Sequence, residues 1–136
     1  VSHPWAFHHD RQGFNFRMPN LNAALVTAQL EQLPVFLEAK KALYEEYSAH
    51  LESIGYALVP IPDTTTQWNY WLMSIELASQ EERDDFLQQT NADGIMTRPV
   101  WTLMHRLPMY GACERDDQTV AEELEQRIVN IPSSVR

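Results

Sequence analysis

Two stretches in the first half of the chain carry apolar residues at helical spacing. The first predicted helix covers about 21–32, follows Asn20 as a candidate cap, and places four residues on one face: Leu21, Ala24, Leu25 and Ala28. The second runs from Pro34, which suits a first helical turn, to Gly55, which suits a helix end. Its apolar residues follow a heptad: Leu37, Tyr44 and Leu51, with Leu43, Tyr47 and Ile54 beside them. Pro34 is expected to mark a bend between the two helices.

Three segments after residue 55 have the composition of β-strands. Residues 56–60 and 95–98 predict short strands. Residues 68–77 are rich in aromatic and β-branched side chains on both faces, which predicts a central strand buried on both sides. These segments favour a small sheet.

Two capping boxes predict the remaining helices. The box at 79–82 begins a helix over about 80–89, and the box at 119–122 begins a last helix. Three residues give that last helix its apolar face: Val120, Leu124 and Ile128. Residues 99–118 form a long connection, a feature that is often functional in a compact domain, and the tail ends extended.

The order of these elements predicts an α/β fold, a small sandwich of helices on a sheet. Residues 1–19 form an irregular lead-in segment, and residues 20–136 form one α/β domain. The chain shows no internal repeat and no low-complexity segment. It begins at Val1 rather than Met, so we expect a trimmed product or a piece of a longer protein.

Composition and charge narrow the possible partners. The formal net charge of −9, with 10 Lys and Arg against 19 Asp and Glu, argues against a nucleic-acid partner. No apolar run approaches the ~20 residues that span a bilayer, so no membrane partner is expected. The single Cys113 excludes an internal disulfide and fits a reducing compartment, for which the cytoplasm is the default expectation.

Metal and nucleophile chemistry find weak support in the sequence. The histidines and the carboxylate near the N-terminus could ligate zinc, but their spacing matches no closed metal motif: His3, His8, His9 and Asp10. A partly ordered surface segment is the preferred interpretation. Cys113 is followed by acidic residues, which is not the basic environment that makes a thiol a reactive nucleophile. The acidic runs at 81–85 and 122–125 fit solvated helix faces.

The segment 97–110 concentrates cationic, aromatic and hydrogen-bonding side chains between two prolines: Arg98, Trp101, His105, Arg106 and Tyr110. Arginine can bind phosphate through two hydrogen bonds, tryptophan can stack on a ring, and histidine can donate or shuttle a proton. These properties indicate a binding loop. The alternative is an aromatic loop that seals the core.

A second polar constellation lies just before the first helix. Asn15 and Arg17 stand between aromatic residues in GFNFR, where they are placed to meet a polar group. Two ordinary roles remain open. Asn15 could organise a turn through its own backbone, and Arg17 could pair with a helix carboxylate.

Five stretches together resemble a known family: GFNFRMPNLNAAL at 13–25, AQLEQL at 28–33, NYWL at 69–72, GIMTRPVWTLMHRLPMY at 94–110 and RIVNIPSS at 127–134. The chain is similar to the DegT/DnrJ/StrS sugar aminotransferases, which depend on pyridoxal 5′-phosphate (PLP). It looks most like the branch that acts on nucleotide-linked amino-deoxy sugars, including the legionaminic-acid type. The resemblance covers only the C-terminal part of such an enzyme, the small domain of a fold-type I aminotransferase.

The resemblance implies that this chain lacks a catalytic residue of its own. Aminotransfer requires a lysine that forms a Schiff base with the cofactor, and Lys40 and Lys41 are the only lysines present. Both lie in a predicted helix beside Glu38 and Glu45, where ion pairing would keep the amines protonated. The family's cofactor lysine belongs to an N-terminal domain, so the chain alone is expected to be inactive.

The resemblance also assigns binding roles. Asn15 matches the family's asparagine that reaches the cofactor phosphate of the partner subunit, which implies a homodimer, although Phe14 and Phe16 replace the usual tyrosines. Four residues are candidates for the nucleotide-sugar side: Arg17, Arg98, Trp101 and His105. The resemblance implies that the full enzyme transfers an amino group, with glutamate as the expected donor, to a nucleotide-linked keto-sugar. A binding or dimerisation module without catalysis is the alternative.

Overall fold

The computed structural model describes residues 9–14, 18–62, 64–65 and 67–135. Within them, helices and strands follow in the order α1 (Asn20–Leu30), α2 (Leu33–Ser53), β1 (Met73–Glu76), α3 (Gln80–Ala92), β2 (Arg98–Pro99), α4 (Thr119–Arg127) and β3 (Ile128–Ile131). A single 3-10 turn, Met104–Arg106, interrupts the connection between β2 and α4. The predicted α/β class, helices on a small sheet, is confirmed.

The sheet is antiparallel, with β3 in the middle of the order β1-β3-β2. The prediction of a central strand over 68–77 is therefore wrong, because only Met73–Glu76 is a strand and it pairs on one side with β3. The backbone before it turns instead of extending, since Tyr70 has a φ of 54°. Ile128, predicted to lie in the last helix, begins the central strand.

The two short predicted strands are also shorter than expected. Residues 56–60 make only an isolated antiparallel bridge between Leu58 and Ile75, supported by a 2.8 Å hydrogen bond from Val59 N–H to the Ser74 carbonyl. The strand predicted at 95–98 is reduced to Arg98–Pro99. Proline has no N–H to donate, which limits pairing at both places, because Pro60 and Pro99 lie there.

The core lies between the sheet and the helices that cover it. Val129, on the central strand, is 0% exposed, and it packs with six other buried apolar residues: Leu58, Met73, Ile75, Leu77, Leu87 and Ile131. Helix α2 covers this cluster with four partly buried residues of its predicted apolar face: Leu43, Tyr44, Tyr47 and Leu51. The Tyr47 hydroxyl also donates to the Pro132 carbonyl at 3.1 Å, which fastens α2 to the tail.

The observed N-termini of the helices confirm one of the predicted caps and contradict two. The box at the start of α3 is confirmed, since Ser79 Oγ accepts from Glu82 N–H at 3.1 Å, while Glu82 Oε2 accepts from Ala78 N–H at 2.8 Å. The prediction of a capping box at α4 is wrong, because Thr119 is the first helical residue and its N–H and hydroxyl both donate to Asp117. These two bonds lower the pKa of Asp117. Asn20 does not cap α1, because it is the first helical residue and Pro19 occupies the cap position.

Helix α1 differs from the others in having an exposed apolar face. All residues of α1 except Ala23 are exposed, including its leucines: Leu21, Leu25 and Leu30. Pro34 lies in the first turn of α2, as predicted, just after the turn that separates the two helices. None of the helices in the described residues has the length and apolar character that crossing a lipid bilayer requires.

Candidate functional site

A cleft of about 570 Å³ lies beside β2 and the end of β3. Much of its lining comes from Trp71 and Leu72 before β1, from residues 98–102 of the long connection, and from the end of β3 and the tail: Asn130, Ile131 and Ser133. Four more residues complete the lining: His9, Met96, Met104 and Leu107. The cleft therefore collects parts of the chain that are far apart in sequence. Its size is in the range of natural small-molecule sites.

Two tryptophans dominate the mouth of the cleft. The ring centroids of Trp71 and Trp101 are 6.1 Å apart, with a 35° angle between the ring planes. Trp71 is 64% exposed and Trp101 is 61% exposed, so neither indole is part of the core. The alternative in which the 97–110 loop seals the core through Trp101 is not what the structure shows.

The backbone of Trp71 is held from both sides. Its N–H donates to Asn69 Oδ1 at 3.0 Å, and its carbonyl accepts from Ser133 Oγ at 2.7 Å. The preceding Tyr70 has left-handed backbone geometry and packs against Trp68, with ring centroids 4.7 Å apart. These contacts fix the backbone that carries the exposed indole of Trp71.

Arg98 supplies the permanent positive charge among the described residues that line the cleft, and none of these lining residues is Asp, Glu or Lys. One of its guanidinium N–H groups donates to the Met96 sulfur at 3.5 Å. Arg98 pairs in register with Asn130 of β3, whose side-chain amide accepts from Ser74 Oγ at 2.7 Å. The cleft is therefore apolar and aromatic, with a cation at one side.

His105, predicted together with Arg98 and Trp101, faces helix α4 instead of lining the cleft. Its Nε2 lies 2.8 Å from Glu122 Oε1. The neighbouring Arg106 bonds Glu125 at 2.5 Å, and the same carboxylate accepts from Leu103 N–H at 3.2 Å. These contacts tie the 3-10 turn to α4 and so hold the connection that carries Trp101.

The remaining predicted residues divide between described and undescribed parts of the chain. Asn15 and Arg17 lie outside the described residues, as do His3 and His8. His9 is described and lines the cleft. Among the described residues, no group of three or more His, Cys, Asp or Glu side chains could hold a metal ion. Cys113 is exposed and free.

The two lysines have different surroundings, and only one matches the prediction. Lys41 lies 3.7 Å from Glu45, as expected for an exposed helical ion pair. Lys40 is half-buried and donates to the Ser133 carbonyl, and burial lowers its pKa below the ordinary value, contrary to the expected pairing with an acid. Neither lysine lines the cleft, and without a lysine or a carboxylate its described residues do not fit PLP as a complete site.

Trp71 is the site residue that the sequence prediction missed, because 68–77 was assigned to a buried strand. A signal was present in the Asn at position 69, since asparagine side chains commonly accept from the backbone two residues on. Such a turn at residues 69–71 interrupts the extended backbone, so a strand can begin only after it, at Met73. It also turns the tryptophan toward the cleft.

The comparisons with known proteins agree with this fold. A model of the DegT/DnrJ/EryC1/StrS aminotransferase family matches residues 3–136, so the chain belongs to that family. It is 34% identical to a GDP-perosamine synthase of Escherichia coli O157:H7 over 125 residues, which covers 92% of this chain and 34% of the relative. A GDP-perosamine synthase of Vibrio cholerae is 33% identical, with 92% of this chain and 35% of the relative covered.

Solved structures show the same architecture. A DegT DnrJ EryC1 StrS aminotransferase from Brucella abortus superposes with a TM-score of 0.73 at 24% identity, covering 97% of this chain and 35% of the other. DesV from S. venezuelae, solved in complex with a ketimine intermediate, gives 0.69 at 25% identity, covering 98% and 36%. The chain thus spans about a third of the length of the relatives it matches. The narrower legionaminic-acid assignment stays a prediction.

Proposed function

We propose that the chain is the C-terminal part of a PLP-dependent aminotransferase that moves an amino group, from glutamate, onto a nucleotide-linked keto-sugar. The family match over residues 3–136 supports the reaction class. The similarity to GDP-perosamine synthases supports a nucleotide sugar as the substrate class. One observation carries the proposal: in a chain that matches an aminotransferase family over residues 3–136, the cleft offers stacking rings and a cation but no lysine among its described residues. It can therefore hold a substrate for chemistry whose lysine is supplied elsewhere.

Within this proposal the cleft contacts the substrate through Arg98 and Trp101. A guanidinium suits an anionic phosphate group, and an exposed indole suits a ring face. His105 acts indirectly: through Glu122, 2.8 Å away, it positions the turn that follows Trp101. Arg17 remains a candidate for the anionic end of the substrate.

PLP, when bound, supplies the group that carries nitrogen between donor and acceptor. We assign Asn15 to the cofactor phosphate of the partner subunit of a homodimer, with its amide as the donor. The rest of the cofactor site, including the lysine, lies in a part of the enzyme that this chain does not contain. A cytoplasmic location accompanies this proposal, since the single exposed Cys113 suits a reducing compartment.

A second candidate is a binding or dimerisation module without catalysis. The lack of a lysine and a carboxylate among the described cleft residues favours it, because such a cleft binds without reacting. The two candidates differ in what accompanies the chain in the intact gene product. An upstream large domain with a cofactor lysine supports the enzyme.

The decisive experiment assays the intact gene product and the 136-residue chain separately. The intact product, given PLP, glutamate and a panel of nucleotide-linked keto-sugars, is expected to form 2-oxoglutarate, and the chain alone is not. Asn15→Ala in the intact product should weaken PLP retention, measured by dialysis against buffer. Matched Asn22→Ala, on the exposed surface of α1, should retain the cofactor. Unchanged retention in Asn15→Ala would remove its phosphate role.

The lysine assignment has its own measurement. After borohydride reduction with stoichiometric PLP, mass spectrometry of the chain alone should find neither Lys40 nor Lys41 modified. Lys40 is held by the Ser133 carbonyl and Lys41 by Glu45, and neither lines the cleft. Modification of Lys40 that Lys40→Arg abolishes, together with amino transfer by the chain alone, would overturn the proposal.

A further inference from the structure

We propose that Trp71, together with Trp101, forms a stacking site for the nucleobase of the substrate, with Arg98 facing the adjoining phosphates. This inference rests on the proposed function and adds a residue and a part of the ligand to it. The pair Trp71 and Trp101 is called the indole pair below. Its rings lie 6.1 Å apart at the mouth of the cleft.

The first argument is that the fold holds the backbone that carries an exposed side chain in a fixed position. Tyr70 occupies left-handed backbone space with a φ of 54°, a conformation that costs free energy for a residue with a Cβ. The costs are offset locally by the hydrogen bonds that Trp71 makes to Asn69 and Ser133, at 3.0 and 2.7 Å. Yet Trp71 itself stays 64% exposed, so this arrangement adds little burial of the indole. Local strain that ends in an exposed aromatic ring is typical of a binding position.

The second argument is geometric. A planar ring enclosed between two others needs about 7 Å, two carbon contacts of roughly 3.5 Å each. The indole pair stands at 6.1 Å with a 35° tilt, so a small rotation of one ring admits a base. Alternatively the base stacks on the open face of either indole without any rotation. Both modes use the same residues.

The third argument favours a base over a sugar ring between the indoles. No described residue that lines the cleft is Asp or Glu, the charged acceptors for sugar hydroxyls. Among the neutral polar lining residues, the Ser133 hydroxyl already donates to the Trp71 carbonyl at 2.7 Å. The Asn130 amide is committed, because it accepts from Ser74 at 2.7 Å and donates to the Pro99 carbonyl at 3.4 Å. Stacking needs only a π-face, which every nucleobase has. The cation Arg98 lies in the same cleft for the phosphates that follow the base.

The experiment measures binding of guanosine 5′-monophosphate to the 136-residue chain by equilibrium dialysis. Base stacking on an aromatic is worth roughly 1–3 kcal/mol by alanine substitution, so Trp71→Ala should weaken binding by about 5- to 150-fold. Trp71→Phe should retain much of the affinity, because a smaller ring still stacks. Tyr56→Ala, an exposed aromatic outside the cleft, is the matched control and should bind as the parent chain does.

Two further probes separate the parts of the ligand. Guanosine, which lacks the phosphate, should bind the parent chain more weakly than guanosine 5′-monophosphate does. Arg98→Ala should reduce this difference in affinity, because it removes the cation that contacts the phosphate. Mannose 1-phosphate should bind poorly and respond little to Trp71→Ala. If Trp71→Ala weakened the binding of mannose 1-phosphate as much as that of guanosine 5′-monophosphate, the assignment of the base would be overturned. If the affinity for guanosine 5′-monophosphate did not change in Trp71→Ala, the site itself would be overturned. Circular dichroism of each variant checks its fold, and if Trp71→Ala does not fold, Trp71→Phe and Trp71→Leu are compared.

Failure of this inference is distinguishable from failure of the proposed function. In an active full-length enzyme, Trp71→Ala should raise the KM for the nucleotide sugar with little change in kcat. An active enzyme with unchanged KM would reject the stacking site and leave the aminotransferase intact. Nucleotide binding that depends on Trp71, in a gene product that transfers no amino group, would support the site and reject the enzyme.

Discussion

The centre of the sheet and the first helix show opposite relations between apolar sequence and burial. On β3, the apolar side chains of Val129 and Ile131 are buried by strands and helices of the same chain. On α1, Leu21 and Leu25 are equally apolar but 72% and 58% exposed, since no described part of the chain buries them. The sheet half of the chain thus supplies its own core. An exposed apolar surface of this kind is typical of a contact surface. The chain spans only about a third of the length of its relatives, so the rest of such a protein could cover it.

The largest expected effect comes from a matched pair of leucines, Leu87 on α3 and Leu25 on α1. Leu87 is 1% exposed, so Leu87→Ala should lower the free energy of unfolding by about 2–5 kcal/mol through lost burial and a cavity. Leu25 is 58% exposed, so Leu25→Ala should change it by no more than about 0.5 kcal/mol. Urea denaturation of both variants measures the difference. Equal destabilisation would mean that α1 is packed in solution.

A smaller effect is expected at the helix starts. Ser79 caps α3 through its bond to Glu82 N–H, so Ser79→Ala should cost about 1 kcal/mol of unfolding free energy. Asn20 makes no capping bond at α1, so Asn20→Ala should cost almost nothing by this mechanism. Thermal denaturation of the two variants provides the measurement. A large loss in Asn20→Ala would contradict the observed start of α1.

The smallest effect concerns acid stability. The Tyr56 hydroxyl donates to Glu82 Oε1 at 2.7 Å, and this bond, with that from Ala78 N–H, lowers the pKa of Glu82 below its ordinary value of 4.5. Because the folded state then binds a proton less readily than the unfolded chain, the contribution is present above about pH 4.5 and is lost as the pH falls through the lowered pKa.

Glu82→Gln should therefore flatten the acid side of the stability curve slightly, as measured by urea midpoints at a series of pH values. Glu81→Gln, one residue away and exposed, is the control and should leave the curve unchanged in shape. The same bond raises the pKa of Tyr56, so its stabilising contribution should fade as the pH rises above 10.0. An identical acid limb in Glu82→Gln would contradict the role of this pair.

Sequence patterns predicted most of the helices because helix periodicity and capping are local properties. The α2 face and the α3 box are examples, since each depends on residues within a few turns. The strands were harder to predict, because β3 becomes central only through pairing with β1 and β2. Ile128 continues the apolar spacing of α4, so nothing local marks it as the start of a strand.

The candidate site was predictable in part for the same reason. Arg98 and Trp101 stand close in the sequence and meet at the cleft, as a stiff loop with prolines suggests. His105 has the same local signal, but it bonds the carboxylate of Glu122 on α4, 17 residues later, and does not line the cleft. Trp71 joins the site from more than a strand and a helix earlier, which only the fold reveals.

The ends of the sheet limit how copies of this protein can associate. On one side, β2 is only Arg98–Pro99, and proline offers no N–H to an incoming strand. On the other side, Leu58 already bridges Ile75 of the four-residue β1. Among the described residues, neither border presents a long row of open peptide groups, so assembly by strand addition, the route to fibrils, is disfavoured. We therefore expect copies of this chain to associate through side-chain surfaces, whose shape and chemistry would set the specificity of the contact.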